Sequence, residues 1–230
     1  MSWREQAKKK AALEAVKHVR NGHVVGLGSG STAAYAVEEM GERVRKKKWQ
    51  ILGVPTSYQA FMLAIRCGIP TTTLDEHPRL DLTIDGADQI DKELNLIKGM
   101  GGALTREKIV ASAAKHFIVV ADETKLTQRL GTNQPVPVEV LPLAMSTVMQ
   151  TMRKLGGKPM LREAKAKIGP AVTDNGNFIL DVDFGPIKAP KELSSQLKMI
   201  PGVIETGLFV EMADIVYVGK AKTVERLERK

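Results

Sequence analysis

Residues 24–35 read VVGLGSGSTAAY, and this stretch constrains the fold more than any other part of the sequence. Two valines lead into alternating glycine and serine, and a helical pattern follows, which is typical of a strand, a tight turn and a helix. Glycine lets the backbone approach a ligand closely, and the free N–H groups at a helix start favour a negative charge. The hydroxyl groups of Ser29, Ser31 and Thr32 add hydrogen-bond donors. The stretch predicts a loop that binds one compact anion such as a phosphate; the alternative is a glycine-rich turn without a ligand.

Two common nucleotide-binding motifs fit this stretch poorly. The dinucleotide motif would place its third glycine at Ser31 and an acidic residue about 20 positions further on, where residues 45–48 instead read RKKK. The P-loop motif ends in Gly-Lys-Ser/Thr, and no lysine follows Gly30. A nicotinamide-dependent dehydrogenase is therefore disfavoured.

Strand and helix patterns alternate along the first part of the chain. Helices are predicted at 3–20, 32–47, 58–66 with Ser57 as N-cap, and 103–114. Strands are predicted at 24–27, 51–54, 71–74, 82–84 and 117–121, with a short strand or hairpin at 94–97. This alternation predicts an α/β fold with a Rossmann-like, mostly parallel sheet flanked by helices.

The pattern changes near residue 131, where turn residues become more frequent. A smaller α+β domain is predicted from a strand at 135–141, a helix at 143–155, a hairpin turn at 173–177, a helix after Pro190 and a strand at 203–205. The apolar run 214–218 could pair with either part. We therefore predict an α/β domain at 1–130 plus 208–230, and a smaller α+β domain at 131–207.

The net charge of +8 raises the question of a nucleic-acid partner. The basic runs 8–10 and 45–48 lack interleaved aromatic residues and fall on predicted helices. We therefore expect solvated helix faces and no nucleic acid, although the positive surplus would attract a small phosphorylated substrate.

The sequence has no stretch of the apolar length that a membrane span needs, so no membrane partner is expected. The charged N-terminal segment lacks the apolar region of a signal peptide. The single cysteine, Cys67, cannot form an internal disulfide and is expected to be a small buried side chain. These features favour a cytoplasmic protein.

Two carboxylates follow the predicted strand 82–84, in the segment DGAD at 85–88. The small residues Gly86 and Ala87 allow a tight turn, so that Asp85 and Asp88 could face one cleft. Two neighbouring carboxylates separate their pKa values, which lets one act as an acid while the other stays ionised. The alternatives are an Asx-rich surface turn or a Mg²⁺ site.

A second glycine-rich loop, KGMGGALTREK at 98–108, also leads into a predicted helix. Lys98 beside the glycines could neutralise an oxyanion, and Glu107 could take a proton from carbon. The alternatives are an exposed loop charge for Lys98 and a helix-dipole interaction for Glu107. Together with the anion-binding loop and the two aspartates, the segment suggests proton transfer next to a carbonyl in a phosphorylated small molecule.

A metal-assisted hydride shift is the competing chemistry for such a substrate. The four histidines are scattered and show no metal-ligand spacing: His18, His23, His77 and His116. Acid–base chemistry without a metal or another cofactor therefore fits the sequence better.

Several segments closely resemble A-type ribose-5-phosphate isomerases: GLGSGSTAAY, TSYQA, DGAD, KGMGGALTREK, ADETKL, PVPVEV and TDNGN. The resemblance runs in order from about residue 5 to 220. It implies an enzyme of the pentose phosphate pathway that interconverts ribose 5-phosphate and ribulose 5-phosphate through a cis-enediolate. It also implies the absence of a cofactor and a homodimer or homotetramer.

The resemblance assigns roles to individual residues. Glu107 is implied to be the base between C2 and C1, Asp85 and Asp88 to assist ring opening and bind hydroxyls, and Lys98 to stabilise the enediolate oxygen. The implied substrate and phosphate contacts are Ser29, Gly30, Ser31, Thr32, Gly86, Ala87, Gly99, Met100, Gly101 and Lys125.

Some positions depart from the family pattern. Ser29 stands where threonine is usual, Gln89 stands where glutamate often follows DGAD, and Met100 and Gly102 vary the second loop. Gln89 removes a charge beside the aspartates, which could shift their pKa values. The alternative from another class is a non-catalytic sugar-phosphate sensor, which would not need Asp85, Asp88 and Glu107 together.

Overall fold

The computed structural model describes residues 2–166 and 168–229. The chain divides into two compact units. The first comprises Met1–Ala87, Arg106–Lys125 and Met212–Lys230, and the second comprises Asp88–Thr105 and Leu126–Glu211. No helix among the described residues is long and apolar enough to cross a membrane.

The described residues form six α-helices and thirteen strands. The helices are α1 (Trp3–Val16), α2 (Gly30–Lys47), α3 (Tyr58–Cys67), α4 (Leu104–Ser112), α5 (Met145–Lys154) and α6 (Pro190–Lys198). The strands are β1 (Val24–Leu27), β2 (Leu52–Pro55), β3 (Leu82–Gly86), β4 (Gln89–Ile90), β5 (Leu96–Ile97), β6 (Phe117–Asp122), β7 (Val136–Val140), β8 (Lys158–Leu161), β9 (Phe178–Asp183), β10 (Val203–Thr206), β11 (Leu208–Phe209), β12 (Ile215–Gly219) and β13 (Val224–Glu228).

The first unit contains a six-stranded sheet in the order β13-β12-β6-β3-β1-β2. All neighbouring strands are parallel except β13, which pairs antiparallel with β12. The carboxyl ends of β1, β3 and β6 therefore lie at one edge, where ligands collect in open α/β sheets. The predicted α/β fold with a mostly parallel sheet is confirmed.

Helices cover both faces of this sheet. Val25 and Leu27 of β1 pack into a core that includes residues of α1, α2 and α3. Gly26, between them, faces the opposite side, where a Cβ atom would lie 2.6 Å from Cγ1 of Val110 in α4. Successive side chains of a strand point to opposite faces, so α4 packs on the side away from α1.

The second unit is built on a four-stranded antiparallel sheet in the order β10-β7-β9-β8. Its core contains Val148 and Met152 of α5 and Leu197 of α6. A separate three-stranded sheet in the order β11-β5-β4 supports the segment that leads to Lys98.

Two predicted elements differ from the structure. The strand predicted at 71–74 was wrong, since Thr71 makes only a single bridge to Gly53. The Thr72 hydroxyl instead bonds Glu76 and His77, and such local side-chain bonds compete with strand pairing. Helix α1 ends at Val16 instead of residue 20, because the next N–H groups bond carbonyls three residues back.

Candidate active site

The loop between β1 and α2 is held against β3 by the Asp85 carboxylate. Asp85 is fully buried, and its Oδ1 accepts hydrogen bonds from Ser29 N at 3.0 Å and Gly86 N at 2.7 Å. Gly28 makes the approach possible, because a Cβ atom there would lie 2.5 Å from the Asp85 Cα. Gly30 has φ +90°, a conformation that glycine adopts without strain. The loop and Asp85 therefore form one rigid assembly.

We expect Gly28→Ala to lower the stability of the protein, since its methyl group would overlap the Asp85 backbone. Overpacking of this kind costs about 1–3 kcal/mol, and each kcal/mol lowers Tm by about 2–4 °C in a chain of this length. Gly101→Ala is the matched control, because a Cβ atom at Gly101 meets nothing within 4 Å. Thermal unfolding of both variants checks the prediction, and equal Tm values for Gly28→Ala and wild type would contradict it.

The TSYQA segment fixes the same loop from α3. The Ser29 hydroxyl lies 2.8 Å from Thr56 Oγ1 and donates to Ser57 Oγ at 2.6 Å. Gln59 Oε1 accepts from Gly30 N at 2.9 Å. The sequence gave no role to Thr56 and Gln59 and only a helix-capping role to Ser57, whereas in the structure all three orient the loop.

Lys8 of α1 also reaches the loop, and sequence reasoning missed it within a basic run assigned to a solvated helix face. Its Nζ donates to Ser31 Oγ at 3.1 Å and to Glu5 at 2.9 Å. A hydrogen bond from Tyr35, followed by that from Lys8, holds the pKa of Glu5 below its ordinary value. The Tyr35–Glu5 bond in turn raises the pKa of Tyr35 to about 12. An ionised Glu5 thus holds a cationic Lys8 beside the exposed Ser31.

Glu107 lies in the first turn of α4 and is only 6% exposed. A glutamate that only complements a helix dipole is normally solvated, so its burial favours a chemical role. In the same unit, Thr32 lies half-buried in the first turn of α2, and Lys125 lies half-buried in a 3-10 turn after β6. The first glycine loop, Asp85, Glu107 and Lys125 thus belong to the first unit.

In the second unit, Asp88 shapes the second glycine loop. Its Oδ2 accepts from Met100 N at 2.9 Å. Arg162 donates to the carbonyls of Gly99 at 2.9 Å and Met100 at 3.0 Å, and it pairs with Asp181. The loop is therefore fixed through both its N–H and its C=O groups, and Arg162 carried no signal in the sequence that would identify it.

Lys98 is 2% exposed, so it is not an exposed loop charge. Its backbone N–H bonds Gly207 O at 2.9 Å. Its Nζ lies 5.5 Å from the centre of the Phe209 ring, where the π face attracts a cation. Strand β5 and its partner β11 thus hold an ammonium group in a desolvated position, where its charge acts strongly.

Gln89 is a structural clamp. Its Nε2 donates to Thr132 O at 2.6 Å, and its Oε1 accepts from Gly131 N at 2.9 Å. A glutamate could not make the first bond, because an ionised carboxylate has no donor. The Gln89 side chain thus holds the backbone of this turn.

Three of the four histidines, which show no metal-ligand spacing in the sequence, lie around one cavity in the structure. His18, His23 and His116 line a cavity of about 310 Å³ in the first unit. Among the described residues, no group of three or more His, Cys, Asp or Glu side chains could hold a metal ion. His18 bonds the Tyr217 hydroxyl at 2.8 Å, and burial lowers its pKa. Burial also raises the pKa of the Cys67 thiol, as expected for an inert buried side chain.

Comparison with known proteins places these features in a family. A family model described as ribose 5-phosphate isomerase A (phosphoriboisomerase A) matches residues 52–223. The chain is 56% identical over 212 residues to ribose-5-phosphate isomerase A of Methanosarcina acetivorans, which covers 92% of this chain and 89% of that protein. It is 49% identical over 223 residues to the human ribose-5-phosphate isomerase, which covers 95% of this chain and 72% of that protein.

Solved structures of ribose 5-phosphate isomerases are also similar to this chain. A D-ribose-5-phosphate isomerase in complex with phospho-erythronic acid is similar with a TM-score of 0.97 and 46% identity, covering 100% of both chains. Ribose 5-phosphate isomerase A from Methanocaldococcus jannaschii is similar with a TM-score of 0.94 and 46% identity, covering 97% of this chain and 99% of that chain.

Proposed function

The chain belongs to the ribose 5-phosphate isomerase A family, and from this premise we propose how its side chains carry out the reaction. It is an aldose–ketose isomerase that interconverts D-ribose 5-phosphate and D-ribulose 5-phosphate. In the forward direction, the hydrogen on C2 leaves as a proton and a proton arrives at C1. Loss of the C2 proton leaves an enediolate as the intermediate, and the hydroxyl proton of C2 moves to the oxygen of C1, so that the product carries its carbonyl at C2.

Glu107 is the general base in this proposal, and its burial in the first turn of α4 is the observation that carries it. A carboxylate removed from bulk water is a stronger base, because desolvation disfavours its charged form. Glu107 takes the proton from C2 and returns it to C1, acting on one face of the planar intermediate. The same group serves both steps, so no second base is needed.

The negative charge that develops on the substrate oxygen is stabilised by Lys98. Its ammonium group is buried against Phe209 and is fixed before the substrate arrives. Preorganised charge of this kind stabilises the transition state without reorganisation during the reaction. Asp85 and Asp88 assist opening of the sugar ring and bind its hydroxyl groups, and Gly86, Ala87 and the loop 99–101 are further substrate contacts.

The phosphate group of the substrate binds to the β1–α2 loop, through Ser29, Gly30, Ser31 and Thr32. The exposed N–H groups at the start of α2 suit an anion. The ammonium group of Lys8 lies beside them, because it donates a hydrogen bond to the Ser31 hydroxyl. Lys125 supplies a further cation. The related enzyme bound to phospho-erythronic acid supports this role, since that ligand combines a phosphate with a carboxylate on a short polyol.

The test is turnover itself. We expect the purified protein to convert ribose 5-phosphate to the ketose in EDTA and without nucleotide, because the proposed steps use side chains of this chain alone. Ketose absorbance measures the product. A sugar-phosphate sensor would bind the substrate without converting it, and activity that vanishes in EDTA and returns with a divalent ion would overturn the acid–base mechanism.

The quaternary state and location complete the proposal. A homodimer or homotetramer is expected from the family resemblance, with residues 131–207 in the oligomer contacts. The single cysteine, Cys67, is buried and forms no disulfide, as is usual for proteins in a reducing cytoplasm. We therefore expect a cytoplasmic location.

A further inference from the structure

Two segments with no role in the reaction, PVPVEV at 135–140 and TDNGN at 173–177, meet the start of α4 at the carboxylate of Glu139. Glu139 lies in β7, in the PVPVEV segment, and is fully buried. Its Oε1 accepts hydrogen bonds from the Thr173 hydroxyl at 2.9 Å, from Asn175 Nδ2 at 3.1 Å and from Asn177 Nδ2 at 2.8 Å. The TDNGN turn thus supplies three donors to one oxygen of a buried carboxylate.

The other oxygen of Glu139 faces the glycine-loop segment. Its Oε2 accepts a hydrogen bond from the Thr105 hydroxyl at 2.5 Å. Thr105 is the second residue of α4, and Glu107 follows two residues later in the same helix. A hydrogen bond to an ionised acceptor is roughly twice as strong as one between neutral groups. The start of the helix is therefore tied to a fixed charge.

The turn is organised to keep that charge in place. The Thr173 hydroxyl accepts from Asn175 N at 3.2 Å and Asn177 N at 3.1 Å, so the donors are fixed by their own backbone. Burying a carboxylate is unfavourable unless it is fully hydrogen-bonded. An apolar residue at 139 would fill a β-strand core without this requirement, so the charge calls for a reason beyond packing.

We propose that Glu139 is a positioning residue for Glu107, acting through Thr105. This inference rests on the proposed role of Glu107 as the general base. A hydrogen bond near the N-terminus of α4 sets the rotation and the axial position of its first turn, and hence the direction of the Glu107 side chain. Proton transfer from carbon is sensitive to such placement, since a shift of about 1 Å can lower a rate about 10²-fold.

The central variant is Thr105→Val, which removes the hydroxyl and keeps the shape. We expect kcat to fall about 10- to 10²-fold with little change in KM, because the substrate contacts remain. Thr105→Ser restores the hydroxyl and should recover most of the activity. Asn175→Ala is the matched control: it removes one of the three donors to Glu139 Oε1, on the side away from α4, and leaves the Thr173 hydroxyl in place. Its kcat should stay close to wild type.

Glu139→Gln is a second test variant, which keeps the inference testable if Thr105→Val does not fold. Its amide oxygen can keep the three donors of the turn, while its NH₂ group faces Thr105 and leaves only a neutral bond. We expect a smaller fall in kcat than for Thr105→Val, again with little change in KM. Thermal unfolding shows whether each variant is folded at the assay temperature.

The outcomes separate this inference from the proposed function. Wild-type turnover, an inactive Glu107→Gln and a fully active Thr105→Val would overturn the positioning role and leave the mechanism intact. Equal losses of kcat in Thr105→Val and Asn175→Ala would also overturn it, because they would indicate a general effect on stability. A wild-type protein without isomerase activity would instead refute the proposed function.

Discussion

Glu107→Gln is expected to lower kcat by about 10²–10⁴-fold, the usual contribution of a positioned general base. Glutamine keeps the size and most hydrogen bonds of glutamate but cannot accept a proton from carbon. The fold should survive, and the affinity for phospho-erythronic acid should stay near that of wild type, since the loop around Ser29 and Asp85 is untouched. The loss would then lie in the chemical step.

Turnover in D₂O, followed by NMR at the exchanging carbon, measures this effect together with the mechanism. A proton that rests on Glu107 can exchange with solvent, whereas a hydride shift carries hydrogen across without exchange. Wild type should incorporate deuterium, and the variant should lose incorporation in step with turnover. Glu192→Gln is the matched control, because Glu192 also lies in the first turn of a helix but is exposed. A fully active Glu107→Gln would refute the assignment.

Lys98→Met should produce the second large effect, a fall in kcat of about 10²–10³-fold, as for other groups that stabilise an oxyanion. The charge on the substrate oxygen develops only along the reaction, so KM should change little. Methionine has nearly the length of the lysine side chain and suits the buried position against Phe209, so the fold should be retained.

Steady-state kinetics of Lys98→Met and of Lys92→Met, an exposed lysine of the same unit, distinguish a local charge from the net charge of the protein. Lys92→Met should behave as wild type. If Lys98→Met raised KM and kept kcat, the residue would bind the substrate without stabilising the intermediate.

Sequence patterns correctly predicted the elements whose boundaries depend on interactions within a few residues, such as a helix cap or a continuous apolar run. Ser57 caps α3 through a bond from Ala60 N at 3.1 Å, as its position before a helical pattern indicates. The all-buried strand β6 was evident as a continuous apolar run. The strand β8 was missed because it is short and contains Pro159, and β13 because its side chains are largely charged.

Such patterns could not predict which strands pair with each other in the sheet. The run 214–218 could have joined either part of the chain, and it became β12 through parallel pairing with β6. This neighbour lies about 100 residues away in sequence, as the register Ile215↔Ile118 shows. Only the packing of the whole unit selects one partner over another.

The sequence by itself determined the chemical groups of the site and their order along the chain: a phosphate-type loop, two aspartates, a lysine beside glycines and a glutamate at a helix start. The tertiary structure alone decided how these groups are held. The bonds of Lys8, Gln59, Arg162 and Glu139 join them to residues that lie 23 to 63 positions away in sequence. Hydrophobic periodicity and capping are read within a few residues, whereas these bonds depend on which elements pack together, and local sequence does not encode that.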